Sequence, residues 1–346
     1  MYVISHVDDF LPVFNDKDPK SAAVFSKFKD AFAARFDYED NGPVHHYLGM
    51  EVIYDREAGT MSLVQTAYLQ RVLNRFGFSE KSVTRNTPCD QGVDLAPHPD
   101  DTFYDRKNLP LNGNLREVVG CLIYAMMNTR PDISYAVSVL ASHVANPAMK
   151  HFTAATRILR YIAGTLDQGI TYTRSDSVED PWRLSAWTDA DYAQDSLTRR
   201  SRSGNLIMFC GGPIMWSSSM QKTIALSTTE SEYTAAVNLG QDIGYVHQIL
   251  DAFKEIVRVL PTKMFCDNES TIKVVGDHHR MRRTRHIQVK CLKLQEWIGN
   301  GTLQLLKVPS ADNLADWFTK AKILTVNFMA IRDVVMSKIK SSAFLI

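Results

Sequence analysis

The sequence predicts a mixed α/β fold, and three observations support this prediction. Hydrophobic residues make up 45% and charged residues 22% of the 346 positions, which is the usual mixture for a chain with a buried core. No segment repeats along the chain, so repeat architectures are excluded. After residue 181 the apolar pattern predicts three strands, a long helix, and then alternating strands and helices, which is typical of a mixed sheet flanked by helices.

The first ninety residues predict two hairpins, each followed by a helix. Alternating apolar residues mark the strands, and apolar residues at helical spacing mark the helices. The predicted elements are strands at 2–6 and 10–14, a helix at 20–36, strands at 47–54 and 61–64, and a helix at 67–76 that Gly77 ends.

The next part of the chain predicts a linker and then a helical region. Residues 81–114 contain four prolines among Asn, Asp and Gly, a composition that favours loops. Helical spacing returns at 115–128, 133–143 and 152–164, and a polar break follows at 174–181.

The last part predicts the five strands of a mixed sheet. The predicted elements are strands at 182–188, 204–210 and 214–217, a helix at 229–253, a strand at 263–266, helices to 297, a strand at 303–308, a helix from 311, and an amphipathic helix at 323–340.

The charge balance excludes an overall attraction to nucleic acid or to an anionic membrane. Lys and Arg number 39 and Asp and Glu 38, so any nucleic-acid binding must depend on local patches. The five cysteines are widely spaced, which speaks against a disulfide framework and a CxxC zinc site. No export signal or membrane span is recognised, so an intracellular protein, cytoplasmic or nuclear and not secreted, is expected.

Four acidic residues of the last region stand where a carboxylate without a cation is costly. Asp189 and Asp267 each follow an apolar strand and are expected at sheet ends. Glu232 lies one turn into a helix that opens with a capping box at Ser227, on a face otherwise used for packing. Asp316 stands between apolar neighbours near a helix start. Brought together, such carboxylates repel unless a metal neutralises them, and oxygen ligands favour Mg²⁺ or Mn²⁺.

Each of these acids has a simpler interpretation when it is taken singly. A carboxylate at a strand end or helix start is more often a cap or a turn residue than a metal ligand. The spacing between the four residues forms no local motif, so both interpretations stay open on the residues alone.

The sequence around the four carboxylates resembles the ribonuclease H domain of copia-type LTR-retrotransposon Pol polyproteins, over about residues 181–325. Seven segments carry the resemblance in order: Trp187–Ala193, Arg202–Gly204, Ile214–Ser218, Ala225–Tyr233, Cys266–Ser270, Arg283–Ile287 and Leu314–Lys320. The resemblance implies a ribonuclease H-like fold that cleaves RNA in RNA/DNA hybrids with two Mg²⁺ or Mn²⁺ ions. The implied catalytic and metal-binding residues are Asp189, Glu232, Asp267 and Asp316. Glu232 is chosen over Glu230 because the segment around it, Ser-Glu-Tyr-Thr-Ala-Ala, aligns with the catalytic Glu of the family.

The N-terminal part extends the resemblance to reverse transcriptase. His6-Val7-Asp8-Asp9 resembles the Tyr-Val-Asp-Asp word, which makes Asp8 and Asp9 metal ligands by resemblance, and Tyr47–Glu51 resembles the primer grip. The upstream palm strand with the third metal-binding Asp does not precede them, so polymerase activity is expected to be lost. The implied domains are a partial palm and the start of the thumb at 1–90, a helical connection at 91–175, the ribonuclease H-like domain at 181–325 and a helical tail at 326–346.

A basic cluster precedes and enters the predicted helix that ends near 297. Its members proposed for nucleic-acid binding are Arg280, Arg282, Arg283, Arg285 and Lys290. Such a cluster either follows backbone phosphates or forms a solvated helix face. The expected partner is an RNA/DNA hybrid or another nucleic acid, with no membrane partner, and the oligomeric state is left open. The alternative to an enzyme is an inactive, domesticated or relic nucleic-acid-binding protein.

Overall fold

The computed structural model describes residues 1–79, 82–90, 94–96, 101, 111, 114–253, 256, 258–276, 285–320 and 323–339, with the backbone alone at 274, 276 and 285–291. The chain divides into two compact units, Met1–Leu48 and Gly49–Ile346. Among the helices in these ranges, none has the length and apolar character needed to cross a membrane.

The first unit contains a hairpin followed by a helix, as predicted. Its elements are β1 (Tyr2–His6), β2 (Asp9–Val13), α1 (Pro19–Ala33) and the short strand β3 (His46–Tyr47). The carboxylate of Asp18 caps α1 by accepting hydrogen bonds from the backbone N–H groups of Lys20 and Ser21. The rings of Phe14 and Phe25 stack with their centroids 4.2 Å apart, so aromatic contacts hold the helix on the hairpin.

An antiparallel sheet begins the second unit. It contains β4 (Met50–Asp55), β5 (Thr60–Val64), β6 (Gln168–Thr173) and β12 (Ser337–Lys338), in the order β12-β6-β5-β4. Helix α2 (Thr66–Arg75) follows β5, and Gly77 adopts a positive φ of 81° where the helix was predicted to end. Strand β6 lies at the end of the region 91–175, which was predicted to be mostly helical. Its Thr171 hydroxyl lies 2.9 Å from that of Ser62, 109 residues away, so the pairing leaves no local signal.

Three predicted helices are confirmed in the middle of the chain. They are α3 (Leu115–Asn128), α4 (Ser134–Ala141) and α5 (Met149–Ala163), with a 3₁₀ turn at Pro131–Ile133. The guanidinium of Arg130 is completely buried and donates to both carboxylate oxygens of Asp132, at 2.9 and 2.7 Å. It also donates to the backbone oxygen of Thr165, and the Tyr161 hydroxyl donates to Asp132 at 2.6 Å. The network ties the turn before α4 to the end of α5.

A mixed five-stranded sheet forms the centre of the C-terminal region, and this confirms the predicted fold class. Its strands are β7 (Ser185–Asp191), β8 (Arg202–Phe209), β9 (Gly212–Met220), β10 (Thr262–Cys266) and β11 (Leu303–Lys307), in the order β11-β10-β7-β8-β9. Strand β10 runs parallel to both β7 and β11, whereas β8 is antiparallel to β7 and β9.

Helices cover both faces of this sheet. The C-terminal region contains α6 (Thr228–Ala252), α7 (Glu269–Gly276), α8 (Arg285–Gly299) and α9 (Thr325–Val335). One hydrophobic core joins Ile207 of β8 to Leu239 and Ile243 of α6. On the other face, Leu206 and Phe318 belong to a core that also contains residues of α2, α3, α4, α5 and α9. The sheet is therefore packed between helices from two separate stretches of the sequence.

The C-terminal end differs from the prediction in two places. The helix expected from residue 311 is instead a pair of 3₁₀ turns, Ser310–Asp312 and Leu314–Phe318. The helix expected at 323–340 ends at Val335, and β12 then pairs with β6. The tail is thus held in a sheet by hydrogen bonds to a strand far away in the sequence.

Candidate active site

Asp189 lies within β7 and not at its end, where it was expected. The strand begins at Ser185 and continues to Asp191, and Asp189 pairs with Gly204 of β8. Only 1% of Asp189 is exposed, and the Thr319 hydroxyl donates to its carboxylate. A carboxylate buried in the middle of a sheet is costly unless cations or donors surround it.

Glu232 is placed by the predicted capping box at the start of α6. The Ser227 hydroxyl accepts a hydrogen bond from the Glu230 N–H at 3.1 Å, and the Glu230 carboxylate accepts one from the Leu226 N–H at 2.7 Å. One turn later Glu232 is 6% exposed on the buried side of the helix. Within the described part of the chain, its Oε2 atom is buried and has no hydrogen-bond partner.

Asp267 directly follows β10, as predicted. Because β10 runs parallel to β7, its C-terminal end reaches the same side of the sheet as the C-terminal end of β7. Asp267 is partly exposed, and its Oδ2 atom accepts a hydrogen bond from the Ser310 hydroxyl at 2.6 Å.

Asp316 lies on the second 3₁₀ turn, which is fixed against the sheet. The Asn313 side chain caps this turn by accepting from the Ala315 N–H and donates to the backbone oxygen of Thr188, both at 3.1 Å. A Cβ atom at Gly204 would lie 2.8 Å from the backbone oxygen of Ala315. Only a glycine therefore lets the turn approach β8 this closely.

The four carboxylates come from four separate elements and lie together. Oxygen atoms of Asp189, Asp267 and Asp316 lie within 4.8 Å of one another. Glu232 and Asp267 form a second group of this size with the sulfur of Cys266. Asp267 belongs to both groups, so the two candidate metal positions adjoin.

Burial and mutual repulsion make this cluster costly in the absence of a cation. Burial, and then the charges of Asp189 and Asp267, raise the pKa of Glu232 to about 9. Burial, and then the charge of Asp189, raise the pKa of Asp316 to about 7. Burial also raises the pKa of Asp189, and burial together with Glu232 raises that of the Cys266 thiol to about 12.

Lys320 supplies a positive charge that the sequence reasoning did not identify. Its Nζ atom lies 2.7 Å from Oδ1 of Asp316 and 3.6 Å from Oδ1 of Asp189. Burial alone would lower the pKa of Lys320, but the two carboxylates raise it. The available signal was its position four residues after Asp316, the spacing of neighbours on one helical face.

Polar contacts from α4 and from residues of the sheet hold the segment that follows Asp316. Gln194 donates both to the Tyr135 hydroxyl of α4, at 2.9 Å, and to the backbone oxygen of Thr319, at 2.8 Å. Arg202 donates to the hydroxyls of Ser138, on α4, and of Ser218. Ser218 in turn donates to the backbone oxygen of Phe318 at 2.6 Å. Helix α4 thus contributes to the position of Asp316 and Lys320.

The other predicted site residues lie in the first unit, in α8 or outside the described residues. Asp8 lies in the exposed turn between β1 and β2, and Asp9 opens β2 opposite His6. No group of three potential ligands within residues 1–48 lies close enough to hold a metal. Arg280, Arg282 and Arg283 lie outside the described residues, and Arg285 and Lys290 belong to α8, where the backbone alone is described.

Comparison with curated proteins finds relatives over most of the chain. Over 92% of its length it is 34% identical to the "Retrovirus-related Pol polyprotein from transposon TNT 1-94" of Nicotiana tabacum. It is 31% identical, also over 92%, to the corresponding polyprotein from transposon RE1 of Arabidopsis thaliana. The chain spans only 23% and 20% of these two relatives. An uncharacterized mitochondrial protein of Arabidopsis thaliana is 30% identical over 68% of the chain and 90% of its own length.

Comparison with solved structures adds little. LC11-RNase H1, isolated from compost, is 15% identical over 39% of the chain and 91% of its own length, with a TM-score of 0.32. No protein-family model matches the chain. On the sequence relationship to the transposon polyproteins, the chain belongs to the copia-type retrovirus-related Pol polyproteins.

Proposed function

We propose that residues 181–325 hydrolyse the RNA strand of RNA/DNA hybrids with the help of two divalent metal ions. The observation that carries this proposal is the convergence of Asp189, Glu232, Asp267 and Asp316 from four elements into two adjoining ligand groups. Membership of the Pol family supports the choice of a nucleic-acid substrate. RNA would be distinguished from DNA by contacts to its 2′-hydroxyl groups.

The donor set fits hard divalent cations. All four side chains offer carboxylate oxygens, the ligands that Mg²⁺ and Mn²⁺ prefer. The unpartnered Oε2 atom of Glu232 and the raised pKa values of Glu232 and Asp316 indicate a shortage of positive charge that Lys320 does not remove. Asp189, Asp267 and Asp316 would hold one ion, and Glu232 and Asp267 the other.

The chain's own residues would keep these ligands in position. A metal pair of this kind activates a water molecule and stabilises the departing oxygen of the cleaved strand. Thr319 donates to Asp189 and Ser310 to Asp267, so one lone pair of each carboxylate is fixed before a cation binds. Lys320, with 35% of its side chain exposed, reaches the rim of the cluster between Asp316 and Asp189. Its ammonium group holds these two carboxylates together against their repulsion.

We further propose that this chain does not polymerise DNA. Two-metal phosphoryl transfer needs several carboxylates around the ions. Asp8 and Asp9 are exposed at a hairpin turn and belong to none of the ligand groups of the described residues. The basic cluster, Arg280, Arg282, Arg283, Arg285 and Lys290, is proposed to bind phosphates of the hybrid.

The cleavage proposal is tested with the purified chain and an end-labelled RNA/DNA hybrid. We expect cleavage of the RNA strand with Mg²⁺ and none in EDTA. Asp189→Asn removes one charged ligand and is expected to abolish cleavage, since the ion loses a ligand from a buried position. Asp312→Asn is the matched control, because Asp312 is exposed on the neighbouring 3₁₀ turn and belongs to neither ligand group.

Two results would contradict the proposal. One is Mg²⁺-dependent cleavage that survives in Asp189→Asn. The other is a folded parent chain that binds the hybrid without cleaving it at any Mg²⁺ or Mn²⁺ concentration. That second result would favour the alternative of a nucleic-acid-binding protein without activity.

A further inference from the structure

A thiol lies among the carboxylates of the proposed metal centre. Cys266 is the last residue of β10, is fully buried, and immediately precedes Asp267. Its Sγ atom and carboxylate oxygens of Glu232 and Asp267 lie within 4.8 Å of one another. Zn²⁺ is held about 2.3 Å from sulfur and about 2.0–2.2 Å from carboxylate oxygen, so two ligand atoms on opposite sides of one ion are about 4.5 Å apart, close to the separation seen here.

Two further observations distinguish this thiol from a cysteine that only fills space in a core. Glu232 is only 6% exposed, and among the described residues its Oε2 atom has no hydrogen-bond partner. A cation bound to both Glu232 and Cys266 would satisfy that oxygen. The backbone N–H of Asn268 donates to Sγ of Cys266 at 3.4 Å, so the sulfur takes part in a polar contact beside Asp267.

The ligands of the group that contains Cys266 differ in chemistry from those of the group that contains Asp189. Asp189, Asp267 and Asp316 offer oxygen alone, which suits Mg²⁺. One sulfur with two carboxylates suits Zn²⁺ and Co²⁺, because borderline-soft ions prefer thiolate ligands. Three protein ligands also leave one tetrahedral position for water or for a substrate oxygen.

We propose that Glu232, Cys266 and Asp267 form a site for a thiophilic divalent cation, typified by Zn²⁺, which competes with Mg²⁺ for the two shared carboxylates. When the ion binds, a sulfur–metal bond replaces the S–H bond of Cys266 and an oxygen–metal bond replaces the O–H bond of Glu232, and both protons leave to solvent. The proposal builds on the metal centre proposed above, but its principal measurement needs no nuclease activity. We therefore expect Mg²⁺ to support hybrid cleavage and Zn²⁺ to inhibit it.

The test uses Co²⁺ as a spectroscopic probe of the metal-free full chain. Thiolate bound to Co²⁺ gives a charge-transfer band in the near ultraviolet, whereas carboxylate ligands alone do not. We expect the band in the parent chain and its loss when Zn²⁺ is added. Cys266→Ser is expected to lose the band, while Cys121→Ser, on α3, is the matched thiol control and is expected to keep it.

A second variant keeps the test decisive if Cys266→Ser does not fold. Glu232→Gln retains the thiol and replaces a carboxyl that can lose its proton to the ion by an amide that stays neutral, so it is expected to weaken Co²⁺ binding by roughly tenfold or more. In the cleavage assay, Zn²⁺ is expected to inhibit the parent at a lower concentration than Cys266→Ser at fixed Mg²⁺.

The outcomes separate this proposal from the proposed nuclease. A band of equal strength in the parent and in Cys266→Ser, or no band in the parent, would overturn the thiophilic site whatever the cleavage activity. A band confined to chains that retain Cys266, in a protein that never cleaves the hybrid, would support the thiophilic site and overturn the nuclease.

Discussion

Replacing Glu232 by Gln measures the electrostatic cost of the acidic cluster. The raised pKa of about 9 means that this carboxyl is protonated at pH 7 in the folded, metal-free chain. In the unfolded chain it titrates near its ordinary value of 4.5 and is ionised at pH 7. Each pH unit above 4.5 lowers the free energy of unfolding by about 1.4 kcal/mol. At pH 7 the raised pKa therefore costs about 3 kcal/mol of stability.

The sign of the pH dependence follows from the direction of the shift. A carboxyl whose pKa rises on folding does not destabilise the folded state below pH 4.5, because it is protonated in both the folded and the unfolded state. The free energy of unfolding then falls progressively as the pH rises toward 9. Glutamine carries no titrating proton. In EDTA, Glu232→Gln is therefore expected to raise the free energy of unfolding by about 3 kcal/mol at pH 7 and to leave it unchanged near pH 4.

Urea denaturation followed by tryptophan fluorescence, at several pH values in EDTA, measures this difference. Glu230→Gln is the matched control, since Glu230 lies on the first turn of the same helix and its capping role is one that a glutamine oxygen can take over. The control is expected to show no gain that grows with pH. A gain for Glu232→Gln that is equal at pH 4 and pH 7, or absent at both, would refute the reasoning, since it would show that the carboxyl bears no such penalty.

Three further predictions concern other parts of the chain. The chain is not expected to extend a DNA primer on an RNA template, and Asp8→Ala is expected to leave hybrid cleavage unchanged. Primer extension that disappears in Asp8→Ala would show that the hairpin turn is a polymerase site. Replacing Arg282, Arg283 and Arg285 together by Gln is expected to flatten the plot of log K for hybrid binding against log salt, by up to about 0.9 per lost phosphate contact, whereas equal slopes would indicate a solvated helix face. Arg130→Met removes the ion-pair partner of the buried Asp132 carboxylate and is expected to lower the free energy of unfolding by about 3–5 kcal/mol, measured in urea. A loss below about 1 kcal/mol would speak against a structural role for this ion pair.

Features with a local cause could be predicted from the sequence. The start of α6 follows from the capping box at Ser227, and the end of α2 from Gly77, because each signal lies within one turn of the boundary that it sets. The local setting marked the four carboxylates only in part, since the choice of Glu232 over Glu230 came from the family resemblance of the segment around it. Their convergence could not be derived from spacing, since it depends on the parallel pairing of β7 with β10.

Features with distant partners were missed for a physical reason. Strands β6 and β12 exist because they pair with β5 and with each other, and neither has a periodic pattern long enough to stand out. Lys320 and Cys266 both stood inside segments that were already recognised. Their possible roles depend on side chains from other elements, and the wide spacing of the cysteines pointed away from a thiol ligand until the fold brought Glu232 beside Cys266.

The hydrophobic core shared by the helical layer and the five-stranded sheet limits how the chain can be divided. Leu206 and Phe318 are buried against helices that come from residues before 175, and Tyr135 of α4 contacts Gln194 beside the acidic cluster. A fragment that began at residue 181 would turn one face of the sheet toward water and leave the turn with Asp316 without its support. Transfer of the acidic cluster into another protein would therefore have to include helices α3, α4 and α5.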